Sequence, residues 1–220
     1  MSLKGAGKSD LTRARILDAA IGLFRRQGFE AATMRGIAAE AGVATGAAYY
    51  YFDSKNAIVL AFYDRSRQEM APLLEEALES SKDLRRRLAG VIEVKLRYFL
   101  PYRDVLTALA GRTDPADPLS PFSEQTREIR DADVEVFARA LADSRTKISR
   151  DLATHLPRLL WLYQMGIILF WIYDRSPEQQ RTQKLLDSSL GLVVALIKGS
   201  AMPLMAPFRR RVVEIIDSVM

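Results

Sequence analysis

The stretch that most constrains this chain is the run from Thr33 to Lys55, Thr-Met-Arg-Gly-Ile-Ala-Ala-Glu-Ala-Gly-Val-Ala-Thr-Gly-Ala-Ala-Tyr-Tyr-Tyr-Phe-Asp-Ser-Lys. Thr33 is a good N-cap, and Gly42 allows a tight turn between two short helical patterns. Helices this short are not stable alone, so they must pack on each other and on a neighbour. Ile37, Ala38 and Ala41 fall on one side of the first, and Val43 follows at the corner. Ala48 and Phe52, spaced i and i+4, anchor the second. The small side chains of Ala38, Ala41 and Ala48 allow close approach, which is the helix-turn-helix arrangement.

With Ala48 and Phe52 inward, Thr45, Gly46, Ala47, Tyr49 and Tyr50 must face outward. Successive residues turn by about 100°, so Tyr49, Tyr50 and Tyr51 cannot share one buried face. The opening turn of such a helix is the part that reaches base edges in a major groove. Thr45 can donate or accept a hydrogen bond there, and the methyls of Thr45 and Ala47 can meet a thymine methyl. The phenols of Tyr49 and Tyr50 suit phosphate oxygens. Thr33 adds a hydroxyl and free backbone N–H groups at a helix start, and Lys55 a positive charge.

The remainder reads as helix almost throughout, with no clean alternation of period two and no hairpin signal. One helix is expected from Leu11 or Thr12 to Gln27, stopped by Gly28, with Phe29 folding back on its last turn. A long one follows Ser54 to about Ser80, with Pro72 predicting a kink or break. Further helices are expected over 83–100 and 102–111. Thr113–Pro121, with three prolines, is the clearest loop. Ser120 and Pro121 read as N-cap and first residue of a helix to Ser144, with Phe122, Ile129, Val136, Phe137, Ala140 and Leu141 as its buried stripe. Leu156–Tyr173 is the next helix. Ser176-Pro177-Glu178-Gln179 reads as a capping box opening one to Lys198, and a last amphipathic helix spans Phe208–Val219. The predicted fold is all-α: a three-helix DNA-binding domain with its N-terminal arm over residues 1–54, and a larger helical domain over 55–220.

Composition removes most alternatives. The 220 residues contain no cysteine and a single histidine, His155, so neither thiol chemistry nor a His or Cys metal set is available. The net charge of +5 is compatible with a polyanionic partner. Gly5-Ala6-Gly7-Lys8-Ser9 resembles the end of a phosphate-binding loop, but the glycine needed five residues before Gly7 is Ser2, and no strand precedes it. Arg85-Arg86-Arg87 and Arg209-Arg210-Arg211 read as solvated helix faces. Asp131, Asp133 and Glu135 are staggered rather than paired. Met1–Asp10 has no apolar core of a secretory signal. Leu159–Tyr173 is short for a membrane span and is interrupted by Gln164, so it reads as a buried helix. These features point away from an enzyme, a metal or cofactor, and a membrane, and toward a cytoplasmic protein. A helical enzyme containing this motif by chance lacks any catalytic constellation; a non-specific nucleoid or adaptor protein is the other alternative.

Over residues 12–60 the sequence resembles the TetR family. The resemblance lies in Gly28-Phe29, Thr33, Ile37-Ala38, Ala41-Gly42-Val43, Gly46, Tyr49-Tyr50-Tyr51-Phe52 and Ser54-Lys55, with Tyr-Tyr-Tyr-Phe before Ser-Lys the most specific part. It implies a homodimeric regulator, usually a repressor, that binds a two-fold symmetric operator in double-stranded DNA and is released by a small molecule. It implies phosphate contacts from Thr33, Tyr49, Tyr50 and Lys55, with Arg35, Thr45, Gly46, Ala47 and Tyr51 facing bases. Ala57 departs from the glutamate often found there. Because the base-facing surface is poor in polar side chains, Arg35, the arm (Lys4, Lys8, Arg13) or DNA shape would carry more of the specificity.

In the larger domain, Leu156–Tyr173 and Pro177–Lys198 are expected to pair with their copies in a four-helix dimer interface. Ser188, Gly191, Ala195 and Gly199 form a small-residue stripe that permits close approach. An effector pocket is expected among the middle helices, with Tyr98, Phe99, Tyr102, Trp161, Tyr163, Phe170 and Trp171 near it and Arg97 and Gln164 as polar members. The expected effector is largely apolar or aromatic.

Overall fold

The computed structural model describes residues 7–219, and among them every regular element is helical. Eleven α-helices appear among the described residues: α1 (Lys8–Gln27), α2 (Met34–Glu40), α3 (Thr45–Tyr51), α4 (Lys55–Glu79), α5 (Leu84–Phe99), α6 (Arg103–Leu109), α7 (Arg127–Ala142), α8 (Arg150–Ala153), α9 (Leu156–Tyr173), α10 (Gln180–Ser200) and α11 (Ala206–Val219). The chain forms two compact units. The first holds the described residues up to Gln68 together with Pro101–Ile129, and the second holds Glu69–Leu100 with Arg130 onward. The single helix α4 is shared between them.

In the first unit, α1 buries Ile16, Leu17, Ala20, Ile21 and Phe24, a stripe at helical spacing. Gly28 ends the helix with φ of +84°, and Phe29 turns back to meet Phe24 edge-on, 5.1 Å between ring centroids. The second unit is built around a core of α4, α5, α7, α9 and α10 side chains, including Leu78, Leu88, Ile92, Phe137, Trp161 and Leu190. Within it the buried guanidinium of Arg87 is fully used: it donates to the carbonyls of Leu78, Ser81, Arg139 and Ala140 and reaches the Asp143 carboxylate at 3.3 Å. Lys95, also buried, is paired with Asp133 at 2.5 Å.

Four local expectations change. Pro72 neither breaks nor ends α4; its exposed position leaves the unmade backbone bond to solvent. Between α5 and α6 the chain tightens into a 3₁₀ turn over Leu100–Tyr102. The helix expected from Ser120 begins only at Arg127. There the Ser120 hydroxyl accepts from the Phe122 N–H, Ser123 donates to the Pro118 carbonyl and Thr126 to that of Ser120. Such local side-chain bonds compete with helix formation, and they leave Phe122 exposed rather than in the buried stripe. The Ser176–Gln179 capping box does not form, because Glu178 and Gln179 both adopt positive φ in a 3₁₀ turn. Ser176 still caps the first turn, its hydroxyl oxygen accepting from the Arg181 N–H at 3.1 Å, and Asp174 joins it by accepting from the backbone and hydroxyl of Thr182 at 2.9 and 2.7 Å.

Of the described helices, α9 is long and apolar enough to cross a membrane by length and composition. It buries eight residues from Leu156 to Ile172 in the second unit, as a core helix does.

Candidate nucleic-acid interface

The α2–α3 pair is built as its sequence requires. Thr33 caps α2, its hydroxyl oxygen accepting from the Gly36 N–H at 3.1 Å. A Cβ on Gly36 would stand 3.3 Å from that oxygen, so glycine there leaves room for the cap. Gly42 makes the turn with φ of +62°. Ile37, Ala38, Ala41, Ala48 and Phe52 are all buried, with Ala48 at 0% exposure. Arg13 of α1 lies 4.8 Å over the Phe52 ring and Arg26 pairs with Glu40 at 2.8 Å, fastening α1 to both ends of the motif.

The outward face of α3 follows from that anchoring. Tyr50 is 82% exposed and Tyr49 52%, while Thr45 and Gly46 are exposed and Ala47 is half-buried. Gly46 has nothing within 4 Å of where a Cβ would stand, so its backbone is open to an approaching surface. Arg35, on the exposed side of α2, has no bond or ion pair among the described residues. Lys8 is exposed as well, and Lys4 lies outside the described residues. Tyr51 is less free: its phenol oxygen accepts from Ser9 of α1 at 3.3 Å, and its ring meets Tyr50 edge-on at 5.1 Å.

Lys55 has a role its type did not announce. Its ammonium donates to the carbonyls of Phe29 and Glu30 at 2.7 and 3.2 Å, and lies 4.6 Å over the Phe29 ring. Two of its three N–H bonds are thereby used inside the protein. The opposite partner of Phe29 is Arg112, 5.1 Å from the ring, which also pairs with Glu30 and with Asp117 at 2.8 Å. The Asp117 carboxyl is held below the usual range, first by the Leu119 N–H and then by Arg112, which together outweigh burial. Sequence reasoning missed Arg112 because Glu30, which it ties down, lies 82 residues away. At the start of α4, Ser54 accepts from the Ala57 N–H at 3.1 Å, so half of a capping box persists without the glutamate.

The residues expected at an effector pocket divide. Trp161, Gln164 and Trp171 are buried on one face of α9. Tyr98 and Phe99 are half-buried and edge-on to each other at 5.1 Å, the Tyr98 hydroxyl donating to Glu69. Tyr163 is half-buried and bonded to Ser189 at 2.7 Å. Arg97 is exposed, and Phe170 is 41% exposed beside Leu169 and Tyr173. Tyr102 belongs to the first unit, where it packs on Phe62 at 5.0 Å. On α10 the stripe lies at or near the surface: Ser188 and Ala195 are exposed, and a Cβ on Gly191 or Gly199 would meet nothing within 4 Å.

Comparison with known proteins agrees with this geometry. Residues 16–62 match the family described as bacterial regulatory proteins, tetR family, and residues 87–211 match the tetracyclin repressor-like C-terminal domain. The HTH-type transcriptional regulator SrpR of Pseudomonas putida is 43% identical over 61 residues, 28% of this chain and 29% of its own length. The chain thus spans under a third of that relative. The HTH-type transcriptional repressor KstR of Mycolicibacterium smegmatis is 26% identical over 83% of this chain and 86% of its own length. The structure of the regulator FadR from Bacillus subtilis, solved with stearoyl-CoA, shares the fold: TM-score 0.61, 16% identity, 79% of this chain and 95% of that one. An α2–α3 pair with an exposed recognition surface, carried ahead of a matching C-terminal domain, makes this chain a member of the TetR family of transcriptional regulators.

Proposed function

We propose that the chain is a repressor that binds a two-fold symmetric operator as a homodimer and is released by a small, largely apolar or aromatic effector. The observation that carries this is α3, held from beneath by Ala48 and Phe52 while Thr45, Gly46, Tyr49 and Tyr50 stand open on the other side. Residues 1–54 make the DNA-contacting part and 55–220 the sensing and dimerising part. Thr33, Tyr49 and Tyr50 contact phosphates, with Lys55 contributing its remaining N–H. Arg35, Thr45, Gly46 and Ala47 approach bases, and Tyr51 supports them from its bond to Ser9. An operator lies in the cytoplasm, where the protein would act.

Dimerisation through α9 and α10 is supported by the apolar side chains left uncovered there. Leu162, Leu169, Phe170 and Tyr173 of α9 and Leu192 and Leu196 of α10 are each at least 40% exposed. With the small stripe of Ser188, Gly191, Ala195 and Gly199, they offer a surface that a second copy can cover at close approach. FadR, solved with stearoyl-CoA, supports a ligand with a long apolar part for the second unit. A ligand favouring a dimer with wrongly spaced recognition helices lowers operator affinity by its preference for that state.

Selection of bound duplexes from a random library, followed by sedimentation of the protein alone and with the selected site, tests the proposal. A palindromic site, a dimer at micromolar concentration and an affinity well above that for genomic competitor at equal salt are expected. A monomer with no preference among duplexes would refute it.

A further inference from the structure

Gln164 sits in the middle of α9 on its buried face, with Leu160 and Trp161 one turn before it and Ile167 and Trp171 one and two turns after. Its exposure is 1%, and neither the Oε1 nor the Nε2 atom has a hydrogen-bond partner. A primary amide brings two donor hydrogens and an acceptor oxygen, and buried groups of this kind are almost always satisfied. The buried charges of this unit obey that rule: Arg87 makes five such interactions and Lys95 is ion-paired. A leucine would fill the position at no such cost. A buried water needs two to four polar partners, and the neighbours along this face of α9 are chiefly apolar.

We infer that Gln164 is the polar end of the effector site, and that the effector carries a neutral group with donor and acceptor side by side, a carboxamide or lactam, on an apolar body. This rests on the reading of the second unit as a sensor. An amide facing an amide forms two hydrogen bonds in one ring, N–H of each to the oxygen of the other, and satisfies both orphaned atoms at once. An ester or thioester offers acceptors only and leaves the Gln164 oxygen bare. An anionic group is disfavoured because the buried cations Arg87 and Lys95 are already committed.

The two tryptophans make the test direct, since Trp161 and Trp171 are the only ones in the chain and flank Gln164 on its own face. Tryptophan emission of the full-length protein is titrated with octanamide, methyl octanoate and octane at pH 7.5. Octanamide is expected to bind about tenfold or more tightly than the other two, and Gln164→Met is expected to erase that preference. Without ligand, Gln164→Met should raise Tm by about 2–4 °C, because an unsatisfied amide is removed. Absent octanamide binding, equal affinities for the three probes, a preference that survives Gln164→Met, or a fall in the ligand-free Tm would each overturn the assignment. Retention of the selected operator by the wild-type protein, measured in parallel, reports on the regulator proposal separately.

Discussion

The α1–α3 motif and the core of the second unit treat polar groups in opposite ways. In the α1–α3 part of the first unit the interior is small and apolar, from Ile16 to Phe52, and the polar groups sit at its edges as caps and clamps. The second unit carries charge and amide into its core through Arg87, Lys95 and Gln164. A module whose product is a rigid outward face needs nothing polar inside. In the second unit Arg87 and Lys95 are spent on internal partners, whereas the Gln164 amide is left without one. The contrast locates where substitutions should cost fold and where they should cost function.

The largest expected effect tests the polar core. Arg87→Ala leaves four carbonyls, two of them in fully buried bonds, without their donor and should destabilise the protein by about 3–5 kcal/mol, read from urea unfolding monitored by tryptophan emission. A loss below 1 kcal/mol would mean that solvent reaches this core and would erase the contrast. Next comes Gly46→Ala. The added methyl meets nothing in the free protein and favours the helix by about 0.5–1 kcal/mol, so Tm should hold or rise. Operator affinity should nevertheless fall about tenfold in a fluorescence-anisotropy titration if the α3 backbone closes on the groove. Unchanged affinity would remove Gly46 from the interface.

Smaller effects separate backbone contacts from clamps. Tyr50→Phe should weaken binding by about 0.5–1.5 kcal/mol on every duplex, with no change of salt slope because the phenol is neutral. Lys55→Ala should lower Tm as well as affinity, since its ammonium also ties down Phe29 and Glu30. An affinity loss without a Tm change would assign Lys55 wholly to DNA. The mildest test uses acid. Glu75, through its hydrogen bond with Arg139, and Asp151, through Arg209, have lowered pKa values; for Asp174 burial is outweighed by hydrogen bonds from Ser176 and Thr182. Such depressed groups stabilise the fold above their unfolded pKa of about 4 and lose that contribution as pH falls through their lower folded values. Unfolding of the second unit, reported by Trp161 and Trp171, should therefore steepen only below about pH 4. Loss beginning near pH 6 would contradict these shifts.

Local pattern was enough for the recognition surface. Thr33, Gly42, Ala48 and Phe52 act on neighbours within a few residues, so their spacing in the chain already states which side of α3 is free. The start of α7 was not legible, because Ser120, Ser123 and Thr126 close on their own backbone and win against the proline-led helix start that their order implies. The cap of α10 was legible in part: Ser176 caps the turn as its place before Pro177 implies, but the second acceptor is Asp174, reaching eight residues forward to Thr182, and Gln179 closes no box.

What the sequence determined alone is therefore everything governed by contacts one or two helical turns apart: the all-α class, the boundaries of α2, α3 and α9, and the exposure of Tyr49 and Tyr50. Tertiary structure decided which long polar side chains are spent internally. Lys55 on the Phe29 carbonyl, Arg112 on Glu30 and Arg87 on Ala140 all bridge more than 25 residues of chain. Gln164 is the converse, a polar residue that folding buried and left unanswered. The reason is reach: periodicity fixes which face a residue occupies, but a long flexible side chain finds its partner only once distant segments have been brought together.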